Sequence, residues 1–261
     1  GLARVLGWLE RIMIRRSRVV IAICQDLDET VQRVDPHVPT VVIENAPGSG
    51  SRPTAGTGAA VRQALQLDAD TPIAVYTGTF EHYQGLDLLF AAARLVVAAR
   101  PDARLVMVGG DAAQVQEAAT IADALGIGHA VLFTGQRPAE EIPAFLDAAT
   151  VLVSPRSTGT NTPLKIYQYL RAGRPIVATN LRTHTQVLSD DTAFLADPTP
   201  EAFAAAWLRA VNDPAHAQEV GDHARRLADL RYSDEAYLAK TRRACELLFE
   251  PSARRAARGL A

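Results

Sequence analysis

Cysteines and metal-binding patterns are scarce in this sequence. Among 261 residues there are two cysteines, Cys24 and Cys245. They lie far apart in apolar surroundings, which indicates reduced structural thiols rather than a disulfide framework. The six histidines are scattered along the chain, and none has the close spacing typical of a zinc site. We therefore expect neither a metal nor a cofactor.

An excess of charge of one sign is also missing. The formal net charge is −2, so we expect no nucleic acid partner. The apolar runs are far shorter than the roughly 20 residues of a membrane-spanning helix, and no secretory signal is visible. These absences predict a cytoplasmic protein. Because the first residue is Gly1 rather than methionine, we expect a trimmed or excised fragment.

The first residues predict an amphipathic helix. Leucines and Met13 recur at helical spacing between residues 2 and 16, with arginines on the other side. The arginines of residues 2–18 would suit an anionic surface, so peripheral contact with the inner face of a membrane is one interpretation. The other is a domain helix whose packing partners lie outside this chain.

From residue 19 onward, short β-branched runs alternate with helical patterns. After two such runs, residues 48–58 are rich in Gly, Ser, Thr and Pro, and we interpret them as a linker. Further strands are predicted near residues 73, 105, 131, 151, 176 and 194. This alternation predicts βαβ units and an α/β fold, a Rossmann-like doubly wound parallel sheet.

The linker and the strand pattern divide the chain into four parts. We predict the end of one domain at 1–47, a linker at 48–58, a Rossmann-like domain at 59–232, and a closing helix and tail at 233–261. Ligands of such sheets bind outside the carboxyl ends of the strands. The loops expected to form a site are therefore 78–85, 109–111, 134–138 and 154–163.

Two glycines bracket the first of these loops. Gly78 follows a strand directly, and Gly85 opens the next helix. Backbone N–H groups in such a turn, together with the helix dipole, can hold an anion. An ordinary turn in which glycine only supplies a positive φ is the alternative. The dinucleotide-binding fingerprint is absent.

The last of these loops is rich in hydroxyl groups and leads into a short helix. Thr160, Asn161 or Thr162 is expected to cap that helix. Lys165 lies in its first turn, where a cation opposes the helix dipole unless an anion is bound. A phosphate site and a solvated lysine are both open interpretations. Gln168 is expected on the same helical face as Lys165, facing either the crevice or solvent.

Four spaced motifs of the chain follow one another in a recognisable order. They are the loop from Gly78 to Leu89, the strand that ends at Gly110, the turn 133–135, and the segment 154–179. Together they resemble the C-terminal domain of family 4 glycosyltransferases, over about residues 70–212. The resemblance implies the GT-B fold, in which two Rossmann-like domains face each other across the active-site cleft.

The same resemblance implies an activity. Members of this family transfer a sugar from a nucleoside diphosphate donor, such as a UDP or GDP sugar, usually with retention of anomeric configuration. Residues 1–46 resemble the end of the N-terminal, acceptor-binding domain. We therefore expect a donor-binding part that is inactive alone, with the remaining N-terminal domain and a nucleotide sugar as partners, in glycan or glycoconjugate synthesis.

The chain departs from the family at its most characteristic residues. The usual motif places two glutamates eight residues apart, and Thr160 and Gln168 stand at those positions. The usual basic pair for the diphosphate is replaced by Thr79 and Gln84. Lys165 is therefore the best remaining positive charge for a phosphate, and Arg156 is the second.

The resemblance also implies roles for individual positions. Gln168 takes the place that binds the ribose, Asn161 and Thr160 lie near the donor sugar, and the Leu164 N–H meets the diphosphate. The backbone at 136–137 meets the base. The expected donor-binding residues are Gly78, Thr79, Gln84, Gln136, Arg137, Thr160, Asn161, Thr162, Leu164, Lys165 and Gln168. No catalytic residue is assigned.

Three functional hypotheses follow. The first is a glycosyltransferase whose donor half is this chain. The second is a non-catalytic nucleotide-sugar-binding or scaffold module of GT-B ancestry, because both glutamates are missing. The third is a different GT-B-like or epimerase-like enzyme that uses the same crevice.

Overall fold

The computed structural model describes residues 1–45 and 56–250. These residues form two compact units, one made of 1–45 and 232–250 and the other of 56–231. Most of the predicted linker lies outside the described residues, as does the predicted tail from residue 251. The last residues of the predicted linker belong to a helix that begins at Thr57.

The smaller unit contains two short parallel strands and three helices. Its elements are α1 (Leu2–Arg16), β1 (Val20–Ala22), α2 (Gln25–Val34), β2 (Thr40–Val42) and α11 (Asp234–Phe249). Its apolar cluster is formed by Ile14, Val31 and Val38. Lys240 of α11 forms an ion pair with Glu44, just after β2. Apart from the half-buried Ile12, the larger apolar side chains on the rest of α1 are exposed.

The larger unit alternates strands and helices throughout. Its strands are β3 (Ile73–Thr77), β4 (Arg104–Val108), β5 (Val131–Gly135), β6 (Val151–Ser154), β7 (Ile176–Thr179) and β8 (Phe194–Ala196). Its helices are α3 (Thr57–Ala64), α4 (Leu86–Ala99), α5 (Ala112–Ala124), α6 (Ile142–Ala148), α7 (Leu164–Ala172), α8 (Arg182–Thr185), α9 (Pro200–Asn212) and α10 (Pro214–Arg231).

The six strands of the larger unit form one parallel sheet. Their order is β5-β4-β3-β6-β7-β8, and every neighbouring pair is parallel. The order reverses between β3 and β6, so the loops after these two strands diverge and leave a crevice at their carboxyl ends. The predicted doubly wound parallel sheet is confirmed.

Burial explains why the central strands were visible in the sequence. Every residue of β3, β6 and β7 is buried, as expected for parallel strands covered on both faces. The flanking helices α4 and α9 pack against each other, and their apolar side chains join one core with Phe90 and Trp207. This core holds the carboxyl ends of β3 and β6 in fixed positions.

Helix α3 was not predicted from the sequence. It depends on tertiary contacts: the Arg62 guanidinium donates to the carbonyls of Thr71 at 2.8 Å and Ala148 at 3.0 Å. The Gly58 N–H donates to the Asp147 carboxylate at 2.8 Å. A short segment that is stabilised in this way has little periodicity of its own to detect.

Candidate functional site

A cavity of about 460 Å³ opens at the carboxyl ends of β3 and β6. It lies at the point where the strand order reverses, which is where open α/β sheets bind ligands. Its lining residues are Thr77, Gly78, Thr79, Tyr83, Gln84, Ile142, Arg156, Asn161, Pro163, Leu164, Lys165 and Gln168. Two of these, Arg156 and Lys165, have basic side chains and none is a carboxylate, which favours an anionic ligand.

Another cavity of similar volume is present in this unit. It is lined by residues before and within β8 and by the facing ends of α9 and α10, among them Phe194, Arg209 and His216. These residues lie toward the amino end of the edge strand. Since volume does not distinguish the two cavities, the strand order decides in favour of the one between β3 and β6.

The cavity brings together seven of the residues expected from the sequence. They are Gly78, Thr79, Gln84, Asn161, Leu164, Lys165 and Gln168. The other four do not line it. Gln136 and Arg137 are exposed beyond β5, where Arg137 lies 3.8 Å from the Glu141 carboxylate. Thr160 is exposed, and Thr162 is buried.

Lys165 is the most unusual side chain of the cavity. It is 8% exposed, and its Nζ has no hydrogen-bond partner. The Nζ lies 3.8 Å from the centre of the Tyr76 ring, in a cation–π contact. Burial, together with the nearby Arg156, lowers the pKa of Lys165 well below its usual value. The alternative of a solvated lysine is therefore wrong.

The Lys165 amino group packs against Gly78. A Cβ at this position would lie 3.1 Å from the Lys165 Nζ, and the backbone φ is +139°, in a region that favours glycine. A side chain at this position would therefore crowd the buried amino group at the edge of the cavity. A buried amino group without a partner is costly, so this arrangement suits a group that receives its partner from a ligand.

Arg156 is the second cation, on the loop after β6. Its Nε donates to the Thr158 carbonyl at 2.8 Å, and its Nη2 donates to the Asn161 Oδ1 at 3.1 Å. The guanidinium also lies 5.3 Å from the centre of the Tyr83 ring. Burial is the main cause that lowers the pKa of Arg156, but a guanidinium stays charged at neutral pH.

The start of α7 differs from the sequence-based expectation. None of Thr160, Asn161 and Thr162 caps this helix, because the N-cap residue is Pro163, which makes no side-chain cap hydrogen bond. The predicted cap was wrong because the proline fixes the chain in an extended conformation directly before the helix. The first N–H groups of α7 therefore receive no bond from an N-cap side chain beside the cavity, where the helix dipole favours an anion.

The loops after β3 and β6 are in direct backbone contact. Gly85 has φ of +76°, and a Cβ there would collide with the Pro155 carbonyl oxygen. Beside it, the Gln84 Nε2 lies 3.5 Å from the Thr79 Oγ1, at the limit of a hydrogen bond, while the buried Gln84 Oε1 has no partner. The two loops thus form one wall of the cavity, with a second unsatisfied polar group.

The aromatic residues of the site were missed in the sequence. Tyr83 lines the cavity, and Tyr169 anchors α7 to β3 because its Oη accepts from the Thr77 N–H at 2.9 Å. Burial raises the pKa of Tyr169 to about 12, so it stays a neutral phenol. No motif marks these residues, since their contacts join positions that are far apart in the chain.

Residues 1–45 and 56–250 contain neither a metal-binding cluster nor a membrane-spanning helix. Within them, no group of three or more His, Cys, Asp or Glu side chains could hold a metal ion. None of the helices in these ranges is both long and apolar enough to span a bilayer. Metal independence stays a prediction.

The chain matches the family profile described as glycosyl transferases group 1 over residues 59–227. It is 28% identical over 240 residues to a D-inositol 3-phosphate glycosyltransferase of Streptomyces avermitilis, covering 87% of this chain and 51% of that protein. It is 26% identical over 148 residues to a phosphatidyl-myo-inositol mannosyltransferase of Propionibacterium freudenreichii, covering 55% of this chain and 36% of that protein. The chain spans about half or less of these relatives.

Solved structures give the same fold. A sucrose-phosphate synthase of Thermosynechococcus elongatus aligns with a TM-score of 0.80 at 24% identity, covering 93% of this chain and 61% of that one. Anabaena HepE, solved with UDP and glucose, aligns with a TM-score of 0.77 at 18% identity, covering 92% of this chain and 65% of the HepE chain. Together with the profile match over more than half of its length, these findings confirm the resemblance seen in the sequence: the chain belongs to the group 1 glycosyltransferase family.

Proposed function

We propose that the whole protein transfers a sugar from a nucleoside diphosphate sugar to an acceptor, and that this chain binds the donor. The observation that carries the proposal is the buried Lys165 amino group, which has no partner and lies in a cavity at the reversal of the strand order. Burying an unpaired amino group lowers stability, whereas an anionic ligand would pair with it. A diphosphate is an anion of suitable size and charge.

The proposed donor contacts follow the cavity wall. Lys165, Arg156 and the first N–H groups of α7 would bind the diphosphate, since charge-assisted bonds to phosphate are stronger than neutral ones. The Gln168 amide would bond to the ribose hydroxyls, as donor or acceptor. Asn161 would face the donor sugar. We retain the backbone at 136–137 as the base contact, although its side chains lie outside the cavity lining.

The proposed reaction breaks the bond between the anomeric carbon and the diphosphate oxygen. The acceptor hydroxyl oxygen forms the new bond, and its proton leaves with the departing nucleotide. Because no carboxylate lines the cavity, the contribution of this unit would be electrostatic stabilisation of the leaving diphosphate. Retention of configuration is part of the proposal.

The names of the relatives supply the first acceptors to test. Two of the matched proteins are named for D-inositol 3-phosphate and phosphatidyl-myo-inositol, so we propose inositol phosphates and inositol lipids as candidates. A cytoplasmic location, with peripheral membrane contact through residues 2–18, would give access to both. The HepE structures contain UDP, which makes UDP the first nucleotide to test and GDP the second.

Isothermal titration calorimetry tests the donor site. We expect UDP, GDP or ADP to bind in a one-to-one complex, and the free nucleoside to bind much more weakly because it lacks the diphosphate. No heat of binding for any of the three at millimolar nucleotide would overturn the assignment. A matched titration with inorganic pyrophosphate isolates the part of the affinity that belongs to the phosphates.

A non-catalytic nucleotide-sugar-binding module is the second candidate. The observation that favours it is the absence of a carboxylate from the cavity lining. This candidate predicts nucleotide binding without donor hydrolysis or transfer in the whole protein, and no change of either on Gln168→Glu. Sugar transfer to any acceptor would exclude it.

A further inference from the structure

Two side chains of the segment around α8 hold the backbone of the loop after β6. The Thr183 hydroxyl donates to the Asn161 carbonyl at 2.7 Å, and the Gln186 Nε2 donates to the Thr160 carbonyl at 2.7 Å. Thr183 is buried, whereas both loop residues are exposed. The Thr183 bond therefore reaches from a buried position to an exposed loop, whereas Gln186 is half-buried and its bond lies at the surface.

A third bond comes from the end of β7. The Thr179 hydroxyl donates to the Arg156 carbonyl at 2.6 Å. Behind it, the His184 ring is fully buried, with its Nδ1 3.0 Å from the Thr179 carbonyl and its Nε2 2.9 Å from the Ser154 Oγ. Because a carbonyl can only accept, we assign the proton to Nδ1, so that the Ser154 hydroxyl donates to Nε2.

These bonds act on carbonyl groups and do not involve the side chains of Arg156 and Asn161. Arg156 and Asn161 both line the cavity. The Arg156 carbonyl is held from the end of β7, and the Asn161 carbonyl is held from α8. The chain between them contains Gly159 at φ of +110° and exposed residues from 157 to 160. Without external bonds, such a loop would have to be ordered by the ligand at the expense of affinity.

We propose that Thr183 and Gln186 are positioning residues, which hold the loop 156–161 in the conformation that presents Arg156 and Asn161 to the donor diphosphate and sugar. This inference rests on the proposed function of the cavity. The two residues act through the loop backbone and do not contact the ligand themselves. His184 supports them by fixing Thr179 at the base of the loop.

Thr183→Val tests the inference, because it removes the hydroxyl at nearly constant shape. One lost hydrogen bond to the loop predicts about fivefold weaker binding of the nucleoside diphosphate that the wild type binds best. Thr183→Ser restores the bond and should restore the affinity. Thr185→Val is the matched control, since Thr185 lies exposed on the same helix, and it should bind as the wild type does.

The outcomes are distinct. If the wild type binds no nucleoside diphosphate, the proposed function fails first. If the wild type binds and Thr183→Val binds equally well, the positioning role is overturned. Weaker binding by Thr183→Val that Thr183→Ser does not restore also overturns it. If Thr183→Val does not fold, Gln186→Leu is the deciding variant. About fivefold weaker binding of the nucleoside diphosphate at an unchanged melting temperature supports the inference. Unchanged binding overturns it.

Discussion

Replacing Lys165 by methionine should change stability and ligand affinity in opposite directions. Lys165→Met removes a buried amino group that has no hydrogen-bond partner while keeping a long unbranched side chain in the same space. An unsatisfied buried polar group costs about 1–3 kcal/mol, so the free energy of unfolding should rise by about that amount. The Tyr76 ring, 3.8 Å away, would then contact a thioether, which aromatic rings also favour.

The same substitution should weaken nucleotide binding. A hydrogen bond to a charged group contributes about 1.5–3 kcal/mol, which corresponds to about 10-fold to 150-fold in the dissociation constant. Urea unfolding measures the first effect and calorimetry with the nucleoside diphosphate measures the second. A variant that is less stable than the wild type and binds equally well would refute the account of Lys165.

The sequence offers a matched control for this experiment. Its other lysine, Lys240, forms an ion pair with Glu44 in the smaller unit. Lys240→Met is the same chemical change at a position where the charge has a partner. It should lower stability, or leave it unchanged, and it should leave nucleotide affinity as in the wild type.

The pH dependence of stability provides an independent check on Lys165. Its pKa is lowered in the folded state, so between that value and the usual one the unfolded chain binds more protons. Stability should therefore rise with pH through this window, by up to about 1.4 kcal/mol per pH unit. Urea unfolding between neutral and alkaline pH should show this rise in the wild type and a flatter curve in Lys165→Met.

Two further predictions concern residues that support the loops of the cavity, His184 and Gly85. Burial lowers the pKa of His184 from 6.5 to about 4. Acidification from pH 6.5 to pH 4 should therefore lower the free energy of unfolding by up to about 3 kcal/mol. Urea unfolding should show a smaller acid-induced loss of stability in His184→Asn than in the wild type. Gly85→Ala should lower the melting temperature more than Gly126→Ala. Both glycines have φ near +75°, but a Cβ at Gly126 meets open space while one at Gly85 meets Pro155. Equal losses for the two variants would contradict the close loop contact.

Most of the sheet could be predicted from the sequence. The central strands are continuous β-branched runs because they are buried on both faces, and this pattern is local. The strand predicted near residue 73 is β3, which spans Ile73–Thr77. The closing helix predicted within 233–261 is α11, Asp234–Phe249, because several turns of apolar spacing are also a local pattern. Helix α3 was not predicted, because hydrogen bonds from Arg62 to carbonyls outside the helix stabilise it.

The site could be predicted only in part. The alternation of strands and helices predicted a site in the loops at the carboxyl ends of the strands. The glycine that directly follows a strand marked Gly78 within them. Burial of Lys165 could not be predicted, because it depends on how Tyr76 of β3 and the α7 helix pack together. The network of Thr183 and His184 could not be predicted either. It joins residues about 20 to 30 positions apart, and no periodicity records such contacts.

A cavity lined by cations and amides, without a carboxylate, has a kinetic consequence for the proposed enzyme. Its strongest contacts would be made with the diphosphate, which remains on the nucleotide after the sugar has left. The product would satisfy these contacts as well as the donor does. Departure of the nucleotide would then limit turnover, and the cellular ratio of free nucleotide to nucleotide sugar would set the rate.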